Sequence, residues 1–543
     1  MSHARVEAGG LVLWLLVLLT AVFPYFEGTR NANERPRLMQ AMAITDEHAF
    51  VIDGPAARGL DPGPDVARSP ESGRLYPNKP PGASVVAAAA YVIARTYADA
   101  MGDPLTLRIF TWWARLFGGV FPTVLLAALA WRRYAATGAP EAARASVLLW
   151  ALATPAYGYA HLLYGHALSA LALTSGTWLL LDARSNEDER LAFRGGLVAG
   201  SALLVEYLTV FAALPLMGLL LAAPRHRLRL SAWAAFGACI PVALLGAYHD
   251  MAFGSPWSTG YHHVANPAFA AKHGVGMLGL SWPTVDGFVT QVIAPGSGLL
   301  WWAPLSLMGV YGLVKVASAR GPWRAEAIVM LSLFVGFVVI ASSLSFAGGW
   351  RVGPRYLVAV LPCLMLGWIA TFRLVRERVI AFAVFGTLAV WSVLVNMAAG
   401  NLWPHFDLDH VRQPVSEVLL PLLVDRYEPY SVLDWFGFPH AVPIVIGLGI
   451  VVVLHALWRA GGSVFVSLIV VSASAAGGAA LVFATRAMTP HESSERNLGS
   501  IRRNYEPDPR DRTKGHTAPL RRLSESTDPE KWGEIQPDPP SPQ

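Results

Sequence analysis

Side chains that could act on an anionic substrate are concentrated in a polar segment near the amino terminus, from about residue 27 to residue 82. A carboxylate can take a proton from an incoming hydroxyl group, and Glu34 and Asp65 are the two candidates for such a base. Lysine and arginine bind phosphate groups, and Lys79 and the more distant Arg355 are the candidates for that role. These residue types predict chemistry on a substrate that carries a phosphate.

Further polar and aromatic side chains, in predicted outer loops or at their borders, complete the candidate substrate site. They are Arg351, Tyr76, Tyr356, His166, Asp53 and His263. Asp53 precedes a glycine and is equally typical of a turn, and His166 is as consistent with a packed histidine as with a ligand. His263 follows another histidine, but no third ligand stands at motif spacing, so we predict no cofactor and leave a divalent metal as an alternative.

The elements that must position these residues are apolar. Of the 543 residues, 54% are hydrophobic and 15% are charged, compared with roughly 25% charged residues in soluble domains. Uncharged runs of about 20 residues recur along most of the chain and predict an all-α, polytopic transmembrane bundle. The runs do not alternate, which excludes a membrane β-barrel. The net charge of +5 lies mainly in arginine clusters between runs, which indicates topology and excludes nucleic-acid binding.

We predict about thirteen spans, all within residues 1–484. They lie near residues 11–26, 112–131, 145–159, 166–181, 195–210, 211–223, 230–248, 298–316, 327–344, 354–372, 379–399, 441–458 and 463–484. The first is predicted to be an uncleaved anchor, because no small-residue cleavage site ends it. Outer loops then cover residues 27–111, 249–295 and 400–438. The polar tail, 485–543, is nearly free of aliphatic residues and is predicted to be disordered.

Two short helices are predicted in the first outer loop. Asn33 can cap a helix over residues 34–45, whose apolar side suits the membrane interface. The apolar stretch 83–98 is predicted to be a re-entrant or interfacial helix. If it crossed the membrane, five arginine clusters downstream would face outwards, against the positive-inside rule. The loop with its acidic and basic residues therefore faces away from the cytoplasm.

The order of motifs resembles a known family. Glu34 soon after the first span, followed by the sequence YPNKPPG at residues 76–82 and an apolar helix, is similar to the first outer loop of the C-type (GT-C) membrane glycosyltransferases. That family includes protein O-mannosyltransferases and aminoarabinose transferases. The further similar stretches are residues 65–68, 165–168, 253–256, 298–300 and 349–357. Together the matching pieces extend over roughly residues 11 to 400.

The resemblance implies an integral-membrane glycosyltransferase in a bacterial-type inner membrane. It would move a sugar from a polyprenyl-phosphate donor to a lipid, glycan or protein acceptor on the extracytoplasmic face, with inversion. The phosphate would lie by Lys79 and Arg355, and a carboxylate would deprotonate the acceptor. The family usually begins this loop with Asp-Glu, whereas this chain has Asn33-Glu34, which leaves the base open between Glu34 and Asp65.

Three other functions are compatible with part of the pattern. A transporter or flippase of lipid-linked glycans would show paired halves with broken helices at matching positions, and the sequence has no such repeat. A polymerase or ligase of lipid-linked glycans would use the same outer-face site. A non-catalytic homologue would keep the fold without the chemistry.

Overall fold

Helices form nearly all of the regular structure in the computed structural model, which describes residues 2–23, 31–102, 105, 107–276, 279–345, 348–429, 431–461 and 464–505. The amino-terminal part contains α1 (Ser2–Thr20), α2 (Arg35–Asp46), α3 (Asp53–Ala57), β1 (Val66–Arg68), β2 (Leu75–Pro77) and α4 (Gly82–Met101). Then come α5 (Leu107–Arg115), a π-helical stretch (Leu116–Val120), α6 (Phe121–Ala135), α7 (Pro140–Leu152), α8 (Ala156–Ala160), α9 (His166–Asn186) and α10 (Glu189–Ser201).

The second half of the chain continues the bundle. Two 3-10 stretches (Ala202–Leu204, Tyr207–Ala212) precede α11 (Ala213–Leu221) and α12 (Arg227–Phe253). A 3-10 turn (Gly260–His263), α13 (Pro267–His273), α14 (Val285–Phe288) and a π-helical stretch (Val289–Ile293) lead to α15 (Leu299–Trp302), α16 (Ser306–Ser318) and α17 (Arg324–Ser342). A 3-10 stretch (Arg355–Leu364), α18 (Met365–Val375) and α19 (Val379–Leu402) follow. The last elements are a π-helical stretch (Val415–Leu419), α20 (Leu420–Val424), a 3-10 turn (Val432–Phe436), α21 (Val442–Gly461), α22 (Val464–Thr485) and α23 (Ser494–Arg502).

Among the described residues, 6 helical segments are long and apolar enough to cross a membrane. They are Ile109–Ala135, Arg227–Phe253, Arg324–Ser342, Arg355–Val375, Val379–Leu402 and Val442–Gly461. They make the chain an integral membrane protein and confirm the predicted helical membrane fold. Neighbouring helices pack closely, with α10 between α9 and α12, and α19 against α21 and α22. Trp150, Trp302 and Trp368 are among the fully buried residues of the common core.

The predicted number of thirteen spans is not confirmed. Two of the predicted spans correspond to α7 and α10, which have 13 residues each and are shorter than the roughly 20 that a bilayer requires. The apolar run over residues 195–223 is broken near Glu206, where two 3-10 stretches replace the α-helix. The sequence predicts a tight hairpin or one long kinked helix near Glu206-Tyr207, and the structure interrupts the α-helix at that place.

The first outer loop is more deeply packed than predicted. Helix α2 was expected at the membrane interface, yet its first nine residues, Arg35 to Ala43, are all buried. The predicted cap is also wrong, since Glu34 takes the N-cap position and makes no capping hydrogen bond with its side chain. Helix α4 confirms the helix predicted over 83–98, and its placement relative to the membrane stays a prediction. Residues 24–30, the end of the predicted first span and the start of this loop, lie outside the described residues.

The predicted disorder of the tail is wrong for its first part. Helix α23 forms there, and the hydroxyl of Tyr505 donates to the carbonyl oxygen of Leu402 at 3.0 Å. The His491 N–H donates to Glu417 in the third loop, also at 3.0 Å. Ile501 and Tyr505 are buried in the common core, and Leu498 packs partly buried against it. The rest of the predicted tail, 506–543, lies outside the described residues.

Helices α16 and α18 approach so closely that a methyl group at Gly312 would lie 1.8 Å from the carbonyl oxygen of Gly367. We therefore expect Gly312→Ala to lower the free energy of unfolding by about 1–3 kcal/mol, because two backbones must separate. Gly336→Ala is the control, since a methyl group there meets nothing within 4 Å and alanine is the better helix former. Thermal unfolding in detergent measures both, and equal melting temperatures would contradict this packing.

Candidate active site

Asp65 lies at the centre of a buried polar cluster. It precedes β1, and the antiparallel pairing of Val66 with Pro77 sets Asp65 opposite Asn78, next to Lys79. The carboxylate is 8% exposed and accepts hydrogen bonds from the side-chain amides of Asn33, at 3.1 Å, and Asn78, at 3.4 Å. The hairpin therefore holds a carboxylate and a lysine from the same loop close together.

Three cationic side chains surround this carboxylate. Lys79 and Arg355 were predicted, and Arg37 on the buried α2 joins them. The Lys79 ammonium donates to the Tyr261 hydroxyl at 2.7 Å, and Arg355 donates through Nη2 to the Tyr356 hydroxyl at 2.8 Å. Arg37 donates to the side-chain oxygen of Asn33 and to a main-chain carbonyl. All three side chains are nearly excluded from solvent.

The cations determine the charge state of the cluster. Burial of Asp65 opposes its ionisation, but the positive charges of Lys79, Arg355 and Arg37 hold the pKa of this carboxyl below its usual value. Burial lowers the pKa of Lys79 to about 8, although the negative charges of Asp65 and Glu206 partly offset that effect. The site thus keeps an ionised carboxylate beside a lysine that titrates near neutral pH.

Some buried polar atoms of the cluster have no hydrogen-bond partner among the described residues. They include the Nε–H donors of Arg37 and Arg355 and the side-chain oxygen of Asn78. Buried polar groups in folded proteins are nearly always satisfied, so such atoms point to a polar ligand or to water. Two unsatisfied guanidinium donors favour an anion.

Glu34, the other candidate base, is engaged in a different interaction. Its two carboxylate oxygens accept from Nε and Nη2 of Arg115, each at 2.8 Å, and one also accepts from the Leu163 N–H at 2.7 Å. Burial raises the pKa of Glu34, but Arg115 and these hydrogen bonds outweigh it, so the pKa is lowered. The side chain is fully buried. Glu34 therefore joins the start of α2 to α5 and has little room to receive a substrate proton.

Three other predicted site residues support the hairpin. The Asp53 carboxylate accepts the Leu75 N–H at 2.9 Å and so fixes β2. The Tyr76 ring packs edge-on against Phe253, with 5.6 Å between ring centroids. The His263 ring stacks on Phe253, with 5.3 Å between ring centroids, and its Nε2 lies 2.7 Å from a serine hydroxyl. These contacts support the hairpin, and substrate binding by the three residues stays a prediction.

The last three predicted residues divide between scaffold and site. Arg351 donates to the carbonyl oxygens of Gly348 and Gly349, and its N–H bonds to Phe406, so it stabilises the turn before Arg355. The guanidinium carbon of Arg355 lies over the Tyr356 ring, 4.7 Å from the ring centroid. His166 begins α9 and is buried, with Nδ1 3.8 Å from a carboxylate oxygen of Glu206.

Arg37 and Glu206 were not among the predicted site residues. Glu206 stands in extended conformation at the break between two 3-10 stretches, and it is 7% exposed. Its negative charge acts on Arg37 and Lys79. The available signal for Glu206 is an acidic residue inside an apolar run, which is costly unless paired, so the sequence favours a structural partner such as an arginine over a site. The sequence places Arg37 on the side of the predicted interfacial helix that lies opposite its apolar residues.

Two glycines allow the broken helix to reach the cluster. A methyl group at Gly82 would lie 2.5 Å from the carbonyl oxygen of Leu204, and one at Gly165 would lie 2.6 Å from that of Val205. Gly82 begins α4 just after Lys79, and Gly165 precedes His166 at the start of α9. Because both positions lack a side chain, the backbone before Glu206 fits between these two helix ends.

Metal ligation has no support in the described part of the chain, where no group of three or more His, Cys, Asp or Glu side chains is arranged to hold an ion. The two neighbouring histidines of the second loop are used otherwise. His262 accepts the Thr259 N–H at 3.0 Å, and His263 bonds to a serine.

Comparison with known proteins gives distant structural likenesses. No family model matches the chain, and no curated protein matches it. Two similar solved structures are crystal structures of ArnT from Cupriavidus metallidurans. The one bound to undecaprenyl phosphate has 14% identity and a TM-score of 0.42, and the apo one has 15% identity and a TM-score of 0.44. Each match covers 86% of this chain and 78% of the other.

We expect Glu34→Gln to destabilise the protein by about 3–5 kcal/mol, because it leaves Arg115 buried without its counter-charge. Asp61→Asn is the control. It breaks the 2.7 Å ion pair between Asp61 and Arg35. Because the Asp61 side chain is 50% exposed, we expect the pair to contribute only about 0–1 kcal/mol to the free energy of unfolding. Thermal unfolding in detergent measures both effects. A Glu34→Gln variant that is inactive and yet as stable as the wild type would contradict the structural role.

Proposed function

We propose that the protein is an integral-membrane glycosyltransferase that uses a polyprenyl-phosphate sugar as its donor. The acceptor is a lipid, glycan or protein, and transfer takes place on the extracytoplasmic face of a bacterial-type inner membrane. Lys79 and Arg355 bind the donor phosphate, and Asp65 is the base. No metal or cofactor enters the reaction.

One observation carries this proposal. Three buried cations, Arg37, Lys79 and Arg355, converge on one ionised carboxylate, and two of their guanidinium N–H donors have no partner among the described residues. Burying unpaired cations in an apolar bundle is costly, which favours a site built for an anionic ligand. A phosphate attached to a hydrocarbon chain fits both the charge and the apolar surroundings.

The reaction follows from the placement of the charges. Asp65 takes the proton of the acceptor hydroxyl while its oxygen forms a bond to the anomeric carbon of the sugar. The bond from that carbon to the phosphate oxygen breaks, and its electron pair stays on the polyprenyl phosphate. Attack opposite the leaving group inverts the configuration. Lys79 and Arg355 stabilise the charge that develops on the leaving phosphate, where one donor is typically worth about 3 kcal/mol.

Donor binding also makes Asp65 a better base. In the free protein the surrounding cations lower the pKa of Asp65, which keeps it ionised but weakly basic. A bound phosphate places a negative charge beside these cations and counters their effect on the carboxylate. The pKa of Asp65 therefore rises when the donor is in place, which couples proton removal to the loaded state.

The first test uses the native host, because it does not require a known acceptor. A strain lacking this protein is expected to accumulate one polyprenyl-phosphate sugar, which mass spectrometry of lipid extracts identifies. Wild-type protein should clear the lipid, whereas Lys79→Ala and Asp65→Asn should leave it at the level of the deletion strain. Lys272→Ala, an exposed lysine of the second loop, is the control and should restore clearance. If the Lys79 variant works normally at equal expression, the phosphate role is excluded.

The second test uses pH. Because the pKa of Lys79 is about 8, its positive charge is present below that pH and is lost above it. A glycosylated phosphodiester keeps one negative charge throughout this range, so we expect donor affinity to fall as the pH rises from 7 to 9.5. Lys79→Arg should bind with little change over the range, because arginine stays protonated. Calorimetry or fluorescence titration in nanodiscs measures this, and parallel pH profiles would contradict the assignment.

A further inference from the structure

We infer that Glu206, together with His166, binds hydroxyl groups of a sugar ring beside the phosphate-binding cations. This inference rests on the proposed function and extends it by assigning the sugar subsite. It concerns a residue inside a broken helix, which neither the loop motifs nor the predicted base includes.

The Glu206 carboxylate is buried and yet has free acceptor capacity. It is 7% exposed, and among the described residues no side chain or N–H donates a hydrogen bond to it. Within 4 Å, the ionisable partner among the described residues is Nδ1 of His166, at 3.8 Å, which exceeds hydrogen-bond distance. Burial holds the pKa of His166 well below its usual value, so this imidazole is uncharged. A carboxylate has about four acceptor positions, and those of Glu206 receive no donor from the described residues. A ligand with several hydrogen-bond donors would satisfy them.

A structural ion pair does not account for Glu206. Arg37 is the arginine whose charge it affects most directly, but Arg37 donates to Asn33 and to the Leu163 carbonyl oxygen. The Lys79 ammonium donates to Tyr261. The break in the helix and the two close glycine contacts at Gly82 and Gly165 hold the carboxylate in this position. The local backbone is thus arranged to present the side chain and not to neutralise it.

The surroundings favour hydroxyl groups as the ligand. A cationic ligand would be repelled by the three neighbouring cations, whereas hydroxyl groups carry no charge and donate readily to a carboxylate. The His166 imidazole can donate or accept, and the Tyr159 ring lies edge-on to it at 5.0 Å. A sugar carries hydroxyl groups on the carbons that are one and two bonds from the anomeric carbon. Because that carbon is attached to the phosphate, hydroxyl recognition belongs next to Lys79.

The negative charge of Glu206 has opposite effects on the binding of a bare lipid phosphate and of a sugar-bearing lipid. A second carboxylate beside Lys79 weakens the attraction of the cations for phosphate. Removing its charge should therefore leave binding of a bare lipid phosphate unchanged or make it tighter. Binding of a sugar-bearing lipid should become weaker, because hydrogen bonds to a charged acceptor are lost. A purely structural role predicts the same change for both lipids.

The experiment compares undecaprenyl phosphate with the same lipid carrying mannose, glucose or galactose, each titrated into full-length protein in nanodiscs. Wild-type protein is expected to prefer one glycosylated lipid over the bare phosphate. In Glu206→Gln, this preference should fall about tenfold or more, while affinity for the bare lipid is retained or increased. His166→Gln should lower the preference in the same direction. Retained binding of the bare lipid shows that each variant is folded.

A second arm separates the two sources of a sugar ring. Methyl mannoside, glucoside and galactoside are titrated into protein already loaded with undecaprenyl phosphate. Loss of the lipid preference assigns Glu206 to the donor sugar. Loss of glycoside binding with an intact lipid preference assigns it to the acceptor.

A failure of the hydroxyl site can be told apart from a failure of the phosphate site. Glu417→Gln is the matched control, because this buried carboxylate accepts from the main-chain N–H groups of Arg412, Gln413 and His491 in the third loop and carboxyl-terminal segment. It should keep both binding preferences. If Glu206→Gln also keeps both, or if it weakens bare and glycosylated lipids equally, the hydroxyl site is excluded. If Lys79→Ala instead binds the bare lipid phosphate as tightly as the wild type does, the proposed function is excluded.

Discussion

The structure depends on the imbalance of charge inside an otherwise apolar bundle. Arg37, Lys79 and Arg355 provide three positive charges, whereas Asp65 and Glu206 provide two negative ones. Charges of opposite sign within a low-dielectric interior tend to collapse into neutral pairs. Asn33 prevents this locally, because its amide accepts from Arg37 and donates to Asp65 at 3.1 Å. The amide holds the two apart, and the cationic surplus remains available to an anion.

The helices are arranged to sustain that surplus. Helices α2, α4 and α9 begin at Arg35, Gly82 and His166, so their amino-terminal ends meet at the cluster. The positive end of each helix dipole faces the same region and favours negative charge there. The Glu34–Arg115 pair fixes the first of these ends to α5, 81 residues further along the chain. One buried ion pair thus positions the loop, and a separate group of charges remains in the cluster.

The parts of the fold and site that the sequence predicts are those with local signals. Long apolar runs predict the membrane helices, which the structure confirms, whereas the phosphate contact of the lysine before two prolines and a glycine stays a prediction. The partner of Glu34 was not predictable, because Arg115 stands within the helical stretch of a long apolar segment and the pairing exists only in three dimensions. Arg37 and Glu206 were missed for the same reason. In the sequence each charge is explained by its local surroundings, and only the three-dimensional fold brings both residues close to Asp65.

Under the proposed function, the contact between Lys79 and Tyr261 has a consequence for the heat of donor binding. The lysine donates to a neutral hydroxyl, and its pKa is about 8. At that pH about half of the molecules carry an uncharged amine, and an arriving phosphate favours the ammonium form. Association therefore draws a fraction of a proton from the solution. The observed enthalpy will include the ionisation heat of whichever buffer supplies that proton, so Tris and phosphate solutions will report different values for one and the same contact.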